Sequence, residues 1–223
     1  MSVDDYVTED GTGLLQDLHV RDLLPPTGTA VKLLLILESP HAEELVERTP
    51  VVGGAGQSAI EYLLGRPGGS LGEYVDAMHA AGDFRVGVMN VSNVPLQRGA
   101  YDDDAGPLTP DQWEVIRVVR ESPSWKVDGT MTPEANRIGL IVQAGLQSRI
   151  SRLAFEPGAR VALCGDVVQR FARGLTGLPG KPLKVYHPSR NQWMNNPDRE
   201  EHKELRDLFL ASTAPLPTLG GAR

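Results

Sequence analysis

Four short apolar runs, rich in β-branched residues, constrain the fold of this chain more than any other feature of its sequence. They span Val31–Leu37, Arg85–Val91, Arg160–Cys164 and Leu183–Tyr186. Nearly continuous apolar runs of this length are typical of strands that are buried on both faces, as in parallel sheets. We therefore expect a central sheet of four mostly parallel strands.

Helical patterns lie between and after these runs. Predicted helices occupy Gln57–Leu64, Leu71–Ala81, Asp111–Arg120, Glu134–Leu153, Val167–Arg173 and Arg199–Leu210. Strands that alternate with helices predict a single-domain, three-layer α/β/α sandwich, which we place at residues 29–211. Residues 1–28 are predicted to form an N-terminal extension, and residues 212–223 a flexible C-terminal tail.

The charge of the chain limits its partners. The formal net charge is −7, which argues against a protein that simply coats nucleic acid. Between residues 167 and 197, however, there is no acid and there are five basic side chains: Arg170, Arg173, Lys181, Lys184 and Arg190. A small basic face of this kind is enough to hold a short stretch of phosphates.

Cysteine content and hydropathy exclude further classes. Cys164 is the single cysteine, so an internal disulfide and an iron–sulfur cluster are both excluded. No histidine pair has metal-binding spacing, and we expect neither a metal nor another cofactor. No apolar run approaches the roughly 20 residues of a membrane span, and the acidic N-terminus lacks a signal core. We expect a cytoplasmic monomer with no membrane partner.

Each predicted strand ends in polar or glycine-containing residues. These ends are Glu38-Ser39-Pro40-His41, Asn90 to Asn93, Gly165-Asp166 and His187-Pro188-Ser189. In open α/β sheets, ligands bind outside the carboxyl ends of the strands. The sequence therefore predicts that Glu38, Asn90 and His187 converge on one crevice.

Each of these side chains has a functional and a structural interpretation. Glu38 is followed by a proline turn. Its carboxylate is either desolvated and oriented for chemistry in the site, or it caps a helix or is solvated. His187 either donates a hydrogen bond to a leaving oxygen or is a structural histidine. Asn90 either reads the amide edge of a base or caps a turn. The glycine-rich loop Pro50–Gln57 opens a helix and offers backbone N–H groups to a phosphate or carbonyl oxygen.

Five segments, taken in order, resemble motifs of the uracil-DNA glycosylase superfamily. Leu37–His41 is similar to the G-E-A-P-G motif of a bacterial branch, and residues 50–57 are similar to P-F-V-G-R-A-G-Q. Val88–Val91 resembles I-T-N-V, Arg160–Val167 resembles a strand-to-helix L-G-x-x-A segment, and Val185–Ser189 resembles Y-H-P-S. The resemblance covers roughly residues 31–210 and is strongest to the G-E-A-P-G branch.

The resemblance implies a DNA glycosylase that acts on a nucleotide flipped out of duplex or single-stranded DNA. Glu38 would position or activate water, with Ser39 beside it, and His187 would stabilise the leaving base. The implied base pocket consists of Asn90, Val51, His41, Gly53, Gly54, Gly56 and Gln57. The implied DNA-binding loop consists of Ser189, Arg190, Asn191, Gln192, Trp193 and Met194. Trp193 or Met194 would be its duplex-penetrating wedge, unless Trp193 packs on the sheet edge.

Departures from the family pattern leave the substrate and the activity open. Ser39 stands where one branch has a water-activating aspartate, and Val51 stands where the family has a phenylalanine that stacks on uracil. The base is therefore either uracil or a bulkier modified pyrimidine. One alternative is a non-catalytic or single-turnover binder of uracil-containing or abasic DNA. Another is a hydrolase of a small phosphorylated molecule, with Gly53–Gln57 as phosphate cradle and Asp102–Asp104 as a metal site.

Overall fold

The computed structural model describes residues 1–8, 17–101, 106–121 and 132–213. Its sheet has four strands: β1 Ala30–Leu37, β2 Val86–Asn90, β3 Ala154–Cys164 and β4 Leu183–Val185. They lie in the order β2-β1-β3-β4, and every neighbouring pair is parallel. The predicted single-domain α/β fold is confirmed. β3 begins before the predicted Arg160 because a largely exposed segment, which has no apolar pattern, pairs with the start of β1.

Helices follow or connect the strands in the described part of the chain. They are α1 Val3–Val7, α2 Ala42–Glu47, α3 Gly54–Leu64, α4 Leu71–Ala80, α5 Pro110–Glu121, α6 Pro133–Ile150, α7 Asp166–Phe171, α8 Gln192–Asn195 and α9 Glu200–Ser212. The sequence did not predict α1, α2 or α8, because helices of four to six residues are too short to show a period. Within the described residues, no helix has both the length and the apolarity to cross a membrane.

Side chains alternate between the two faces of the sheet and form two cores. Leu33 and Leu35 of β1 pack on one face with apolar residues of α3, α4 and α9. Leu34 and Ile36 pack on the other face with apolar residues of α5, α6 and α7. This is the three-layer sandwich that the alternation of strands and helices predicts.

The described residues of the predicted N-terminal extension, residues 1–28, pack against the domain. Tyr6 of α1 is fully buried, and its hydroxyl donates to the carbonyl of Pro95 over 2.7 Å. Leu23 forms an antiparallel bridge to Val88 at the edge of the sheet. The apolar residues here are too scattered to give a periodic signal. At the other end, α9 extends to the buried Ser212, and the predicted tail beyond residue 213 lies outside the described residues.

The order of the strands leaves room for a site beside β1. The chain leaves β1 through α3 and α4 on one face to reach β2, whereas it leaves β3 through α7 on the other face to reach β4. The connections therefore diverge between β1 and β3. In sheets of this kind such a point opens a crevice at the carboxyl ends of the strands.

Candidate active site

A crevice of about 720 Å³ opens at the carboxyl ends of the strands. The residues that follow each strand line it: Glu38 after β1, Asn90 at the end of β2, Gly165 and Asp166 after β3, and His187 after β4. The structure thus brings together Glu38, Asn90 and His187, which lie far apart in the sequence. Ser39, His41, Val51, Gly53 and Gly54 also line the crevice.

Asn90 is a buried amide with an unused donor. It pairs with Leu37 across the sheet, and alternation turns its side chain to the face that also carries Val51. The residue is 1% exposed, and its Nδ2 has no hydrogen-bond partner among the described residues. A buried polar group left without a partner costs about 1–3 kcal/mol. The side chain makes no turn-capping bond in this part of the chain, and Asn90 lines the crevice.

A second group of contacts fixes the backbone of Asn90. Its N–H donates to Oδ1 of Asp22 over 3.2 Å, and its carbonyl accepts from Nη1 of Arg149 over 2.8 Å. The same guanidinium donates to Oδ2 of Asp22 over 2.8 Å and to Oδ1 of Asn93 over 2.6 Å. Burial raises the pKa of Asp22, and the charge of Arg149 opposes that shift. These bonds use the backbone N–H and carbonyl of Asn90, so only its side chain remains for contacts in the crevice.

Glu38 is held by an arginine that the sequence did not indicate. Nε of Arg120 donates to Oε1 of Glu38 over 2.5 Å. Arg120 lies in the last turn of α5. Its carbonyl accepts a hydrogen bond from the guanidinium of Arg170, whose pKa is lowered by burial. The predicted catalytic carboxylate is therefore one member of an ion pair, not an isolated acid.

The hydrogen bonds of His187 fix its tautomer. The backbone N–H of Ser189 donates to Nδ1 over 3.2 Å, and the Ser189 hydroxyl lies 2.9 Å from the same atom. Since a backbone N–H always donates, Nδ1 is the acceptor and the ring proton is on Nε2. Burial lowers the pKa of His187, so the ring is neutral near pH 7. The ring therefore offers a ligand one neutral donor, Nε2–H.

Gly165 allows His187 to approach the end of β3. Its φ is 101°, and a Cβ at this position would lie 3.1 Å from Cβ of His187. Only glycine adopts this backbone conformation readily and leaves room for the histidine.

A carboxylate on α2, that of Glu44, holds the glycine-rich loop in place. Glu44 accepts from the N–H of His41 over 2.7 Å and from the N–H of Val51. Burial raises the pKa of Glu44. Val51 lines the crevice at φ 57°, which is an unfavourable conformation for a β-branched residue. Strain of this kind costs of order 1–3 kcal/mol and is concentrated at functional sites.

Two predicted pocket residues lie away from the crevice. Gly56 is buried beneath the loop, where a Cβ would lie 1.8 Å from the carbonyl oxygen of Val51. Gln57 points to solvent from the first turn of α3. The structure therefore does not bring Gly56 and Gln57 into the crevice with the other predicted base-pocket residues, because helix α3 begins at Gly54 and turns both away.

The predicted phosphate cradle already holds a negative charge. Oε2 of Glu43 accepts from the N–H of Gly54 over 3.3 Å. A Cβ on Gly53 would lie 1.8 Å from the same carboxylate oxygen. Beside this loop, Ser39 uses its hydroxyl oxygen to accept the N–H of Leu96 over 3.1 Å. The first turn of α3 therefore carries an internal anion where a phosphate was expected.

The segment after His187 divides into an anchor and an exposed tip. Trp193 is 0% exposed, and its Nε1 donates to the carbonyl of Tyr186 over 2.7 Å. Of the two alternatives for Trp193, insertion into the duplex or packing against the sheet, the structure favours packing, because its ring lies edge-to-face on Tyr62 in the core. Met194 is 41% exposed. Ser189, Arg190 and Gln192 line the crevice, while Asn191 is exposed in a left-handed backbone conformation.

Several residues that line the crevice were not predicted as site residues, among them Glu43, Glu44, Gln97, Arg120, Asp166 and Tyr186. Asp166 and Tyr186 directly adjoin strand ends, which is a signal that the sequence contains. Gln97 and Arg120 carry no such signal, since they reach the crevice from a loop and a helix. In the described ranges, no three His, Cys, Asp or Glu side chains are grouped to hold a metal ion. Asp102–Asp104 lie outside those ranges.

The crevice combines an amide that lacks a partner, a neutral imidazole donor and a carboxylate held by an arginine. Side chains of these kinds are suited to hydrogen-bond a planar polar group and to stabilise charge that develops on it. No protein-family model matches this chain, and no curated protein matches it. The chemistry of these side chains is therefore the basis on which a function is assigned.

Proposed function

We propose that this chain is a DNA glycosylase that hydrolyses the N-glycosidic bond of uracil or of an enlarged, modified pyrimidine and leaves an abasic site. It acts as a cytoplasmic monomer without a cofactor, in base-excision repair or in defence against modified foreign DNA. The observation that supports this most directly is the buried Asn90 amide, whose donor lacks a partner beside the neutral His187 and Glu38. A pyrimidine edge presents the carbonyl oxygen and the ring nitrogen that an amide of this kind pairs with.

In this mechanism Asn90 recognises the flipped base. Its Nδ2 donates to a ring carbonyl of the flipped base, and its Oδ1 accepts from the neighbouring ring N–H. A base that lacks either partner leaves the buried amide unsatisfied, and such mismatches are strongly rejected. The contacts from Asp22 and Arg149 keep the amide in place before the substrate arrives.

His187 serves the leaving group. As the C1′–N bond breaks, its electron pair moves onto the base, and negative charge develops on a carbonyl oxygen. Nε2–H of the neutral ring donates to that oxygen. Removing one preorganised donor of this kind typically costs about 2.7–4 kcal/mol of transition-state stabilisation.

Glu38 acts on the sugar, whose positive charge it stabilises, and on the attacking water. Its Oε1 is held by Arg120, while Oε2 has no hydrogen-bond partner among the described residues. The carboxylate stabilises the positive charge of the oxocarbenium-like sugar and orients a water molecule toward C1′. The water oxygen bonds to C1′, its proton passes to Oε2, and the base departs with the glycosidic electron pair.

The exposed tip of the loop after His187 serves base flipping. Taking a base out of the stack costs a few kcal/mol, which an inserted apolar wedge offsets. Met194 is the exposed apolar side chain there, and Arg190 and Asn191 beside it are exposed polar groups. Trp193 anchors this loop in the core beside Met194.

A second candidate is a non-catalytic or single-turnover binder of uracil-containing or abasic DNA. One observation favours it: Glu38 is bound to Arg120, and the hydroxyl oxygen of Ser39 is bound to Leu96. Neither residue is then a fully free base toward water. The presence of Glu43 at the N–H of Gly54 counts against a third candidate, the hydrolase of a small phosphorylated molecule.

The two leading candidates differ in one assay. Duplexes with a single uracil or modified pyrimidine are incubated with the protein in excess EDTA, and abasic sites are then cleaved with alkali. If the protein is a glycosylase, the strand is cleaved at that nucleotide, and His187→Ala should cleave it about a hundredfold or more slowly. Stable binding without strand cleavage would favour the binder, and absence of both would exclude the two candidates.

A further inference from the structure

Arg120 keeps one edge of its guanidinium free. Its Nε is used by Glu38, but within the described part of the chain Nη1 and Nη2 have no hydrogen-bond partner. The side chain is 31% exposed, so the free edge is accessible. An arginine that is fixed through Nε and open at both Nη groups presents two parallel donors in a defined plane.

Arg120 borders two cavities. Arg120 lines the crevice and also a neighbouring cavity of about 270 Å³. Gln97 lines both cavities as well, and its carboxamide makes no hydrogen bond within the described residues. The wall between the cavities therefore carries an unused guanidinium fork and an unused amide.

We propose that Arg120 and Gln97 form a subsite for the phosphate of the nucleotide whose base enters the crevice. A guanidinium binds two oxygens of a phosphate through parallel N–H groups, and the amide of Gln97 adds a third donor. The bond to Glu38 holds the fork in place before the phosphate arrives, which reduces the entropy lost on binding. Arg170, bonded to the carbonyl of Arg120, adds a second positive charge nearby.

This inference rests on the proposed function, since it assigns the phosphate to a DNA strand. The same chemistry would also bind the phosphate of a free nucleotide. The test therefore needs both sources: a polymer in which single phosphates are neutralised, and a mononucleotide compared with its nucleoside.

The experiment combines a change in the protein with a change in the DNA. Duplexes with one neutral methylphosphonate linkage, moved stepwise around the target nucleotide, are bound to the wild type and to Arg120→Gln. The wild type should lose roughly ten- to hundredfold in affinity at one linkage, the range for a hydrogen bond between charged groups. Arg120→Gln should show the same weak affinity for the phosphate and for the neutral linkage at that position.

Arg160→Gln is the matched control. Arg160 is 32% exposed and is paired with Glu204 over 2.7 Å, much as Arg120 is paired with Glu38, but it does not line the crevice. This variant should keep the wild-type sensitivity to the neutral linkage. If Arg120→Gln does not fold, Arg120→Lys replaces it, and the linkage scan on the wild type still tests for the subsite.

The outcomes separate this inference from the proposed function. Binding of DNA with no sensitive linkage, or with the same sensitivity in Arg120→Gln, would overturn the subsite and leave the glycosylase proposal standing. Absence of DNA binding to the wild type would contradict the proposed function itself. Tighter binding of deoxyuridine monophosphate than of deoxyuridine, lost in Arg120→Gln without any effect in the linkage scan, would assign the subsite to free nucleotides and overturn its assignment to DNA.

Discussion

Nε of Arg120 lies 2.5 Å from Oε1 of Glu38, although 82 positions separate the two residues in the sequence. The bond joins the last turn of α5 to the end of β1 at the mouth of the crevice. It gives Glu38 a fixed orientation and leaves a single carboxylate oxygen for water. The same bond leaves the Nη groups of Arg120 for a ligand, so one ion pair prepares two parts of the site.

Replacing Asn90 with leucine should separate stability from activity. The substitution removes a buried amide whose donor has no partner, so the free energy of unfolding should stay the same or rise by about 1 kcal/mol. Activity should fall about a hundredfold or more, because the base loses its recognition contact. Denaturant unfolding and steady-state kinetics measure the two effects.

Asn93→Leu is the control for that pair of measurements. Oδ1 of Asn93 accepts from Arg149 over 2.6 Å, so its loss leaves a buried guanidinium short of a partner. This variant should be destabilised by about 1–3 kcal/mol. A similar destabilisation in Asn90→Leu would show that Asn90 has a structural role only.

The acid limb of the pH profile should lie below pH 6.5. Burial lowers the pKa of His187 from its ordinary value of 6.5, so the neutral donor survives to a lower pH than in a free histidine. The unfolded chain takes up this proton near pH 6.5 and the folded chain only below it. The stability contributed by the neutral ring is thus complete above about pH 6.5 and is lost as pH falls through the lowered pKa.

Two measurements check the lowered pKa of His187 and the predicted pH profile. The ring resonances of His187, assigned by their absence in His187→Gln, should titrate below pH 6.5. The value of kcat/KM should remain constant from pH 8 down to about 6.5. A ring that titrates at or above 6.5 would mean that a cation, not a neutral donor, faces the base.

Glu43→Gln should increase the affinity for DNA. The Glu43 carboxylate lies at the N–H of Gly54, in the first turn of α3, where it repels an approaching phosphate. The amide keeps the shape and the acceptor but removes the charge. A charge near a helix N-terminus contributes about 0.3–1 kcal/mol, so affinity should rise by up to about fivefold at low salt and by less at high salt.

Glu47→Gln is the control. Glu47 lies on α2, the helix that also carries Glu43, but it is exposed and does not line the crevice. Titration of a fluorescent oligonucleotide measures both variants. Equal gains in the two would indicate a general effect of net charge, and no gain in Glu43→Gln would show that the phosphates do not approach this loop.

Trp193→Ala and Met194→Ala should have different consequences. Trp193 is fully buried, so its truncation should cost about 3–5 kcal/mol of stability and reduce activity on duplex and single-stranded DNA alike. Met194 is exposed, and its truncation should leave stability unchanged but reduce activity on duplex DNA more than on single strands. Thermal unfolding and parallel kinetics on both substrates test this. Equal losses on the two substrates in Met194→Ala would remove the wedge role.

Much of this architecture was predictable from local patterns. The buried strands are visible in the sequence as apolar runs. Thr132 caps α6 by accepting the N–H of Ala135 over 3.2 Å, as its Thr-Pro sequence indicates. The polar residues that end the strands fall at one edge of a parallel sheet because parallel strands share that edge. Topology alone therefore placed Glu38, Asn90 and His187 in one crevice.

The rest depended on tertiary contacts that no local pattern encodes. Whether Trp193 is exposed or buried is decided by Tyr62, which lies on another helix. The partner of Glu38 comes from α5, where Arg120 is one of several arginines without any distinguishing mark in the sequence. Tyr6 is buried because a short helix fits against the domain, and five residues are too few to show a period.

The most direct test of the proposed function is mass spectrometry of the free bases released from DNA. The wild type, Asn90→Leu and His187→Ala are incubated with duplexes that carry uracil or pyrimidines with increasingly large substituents. The wild type should release at least one of these bases intact, and both variants should release it at least a hundredfold more slowly. Binding of these duplexes by the wild type without release of any free base would contradict the assignment of glycosylase activity.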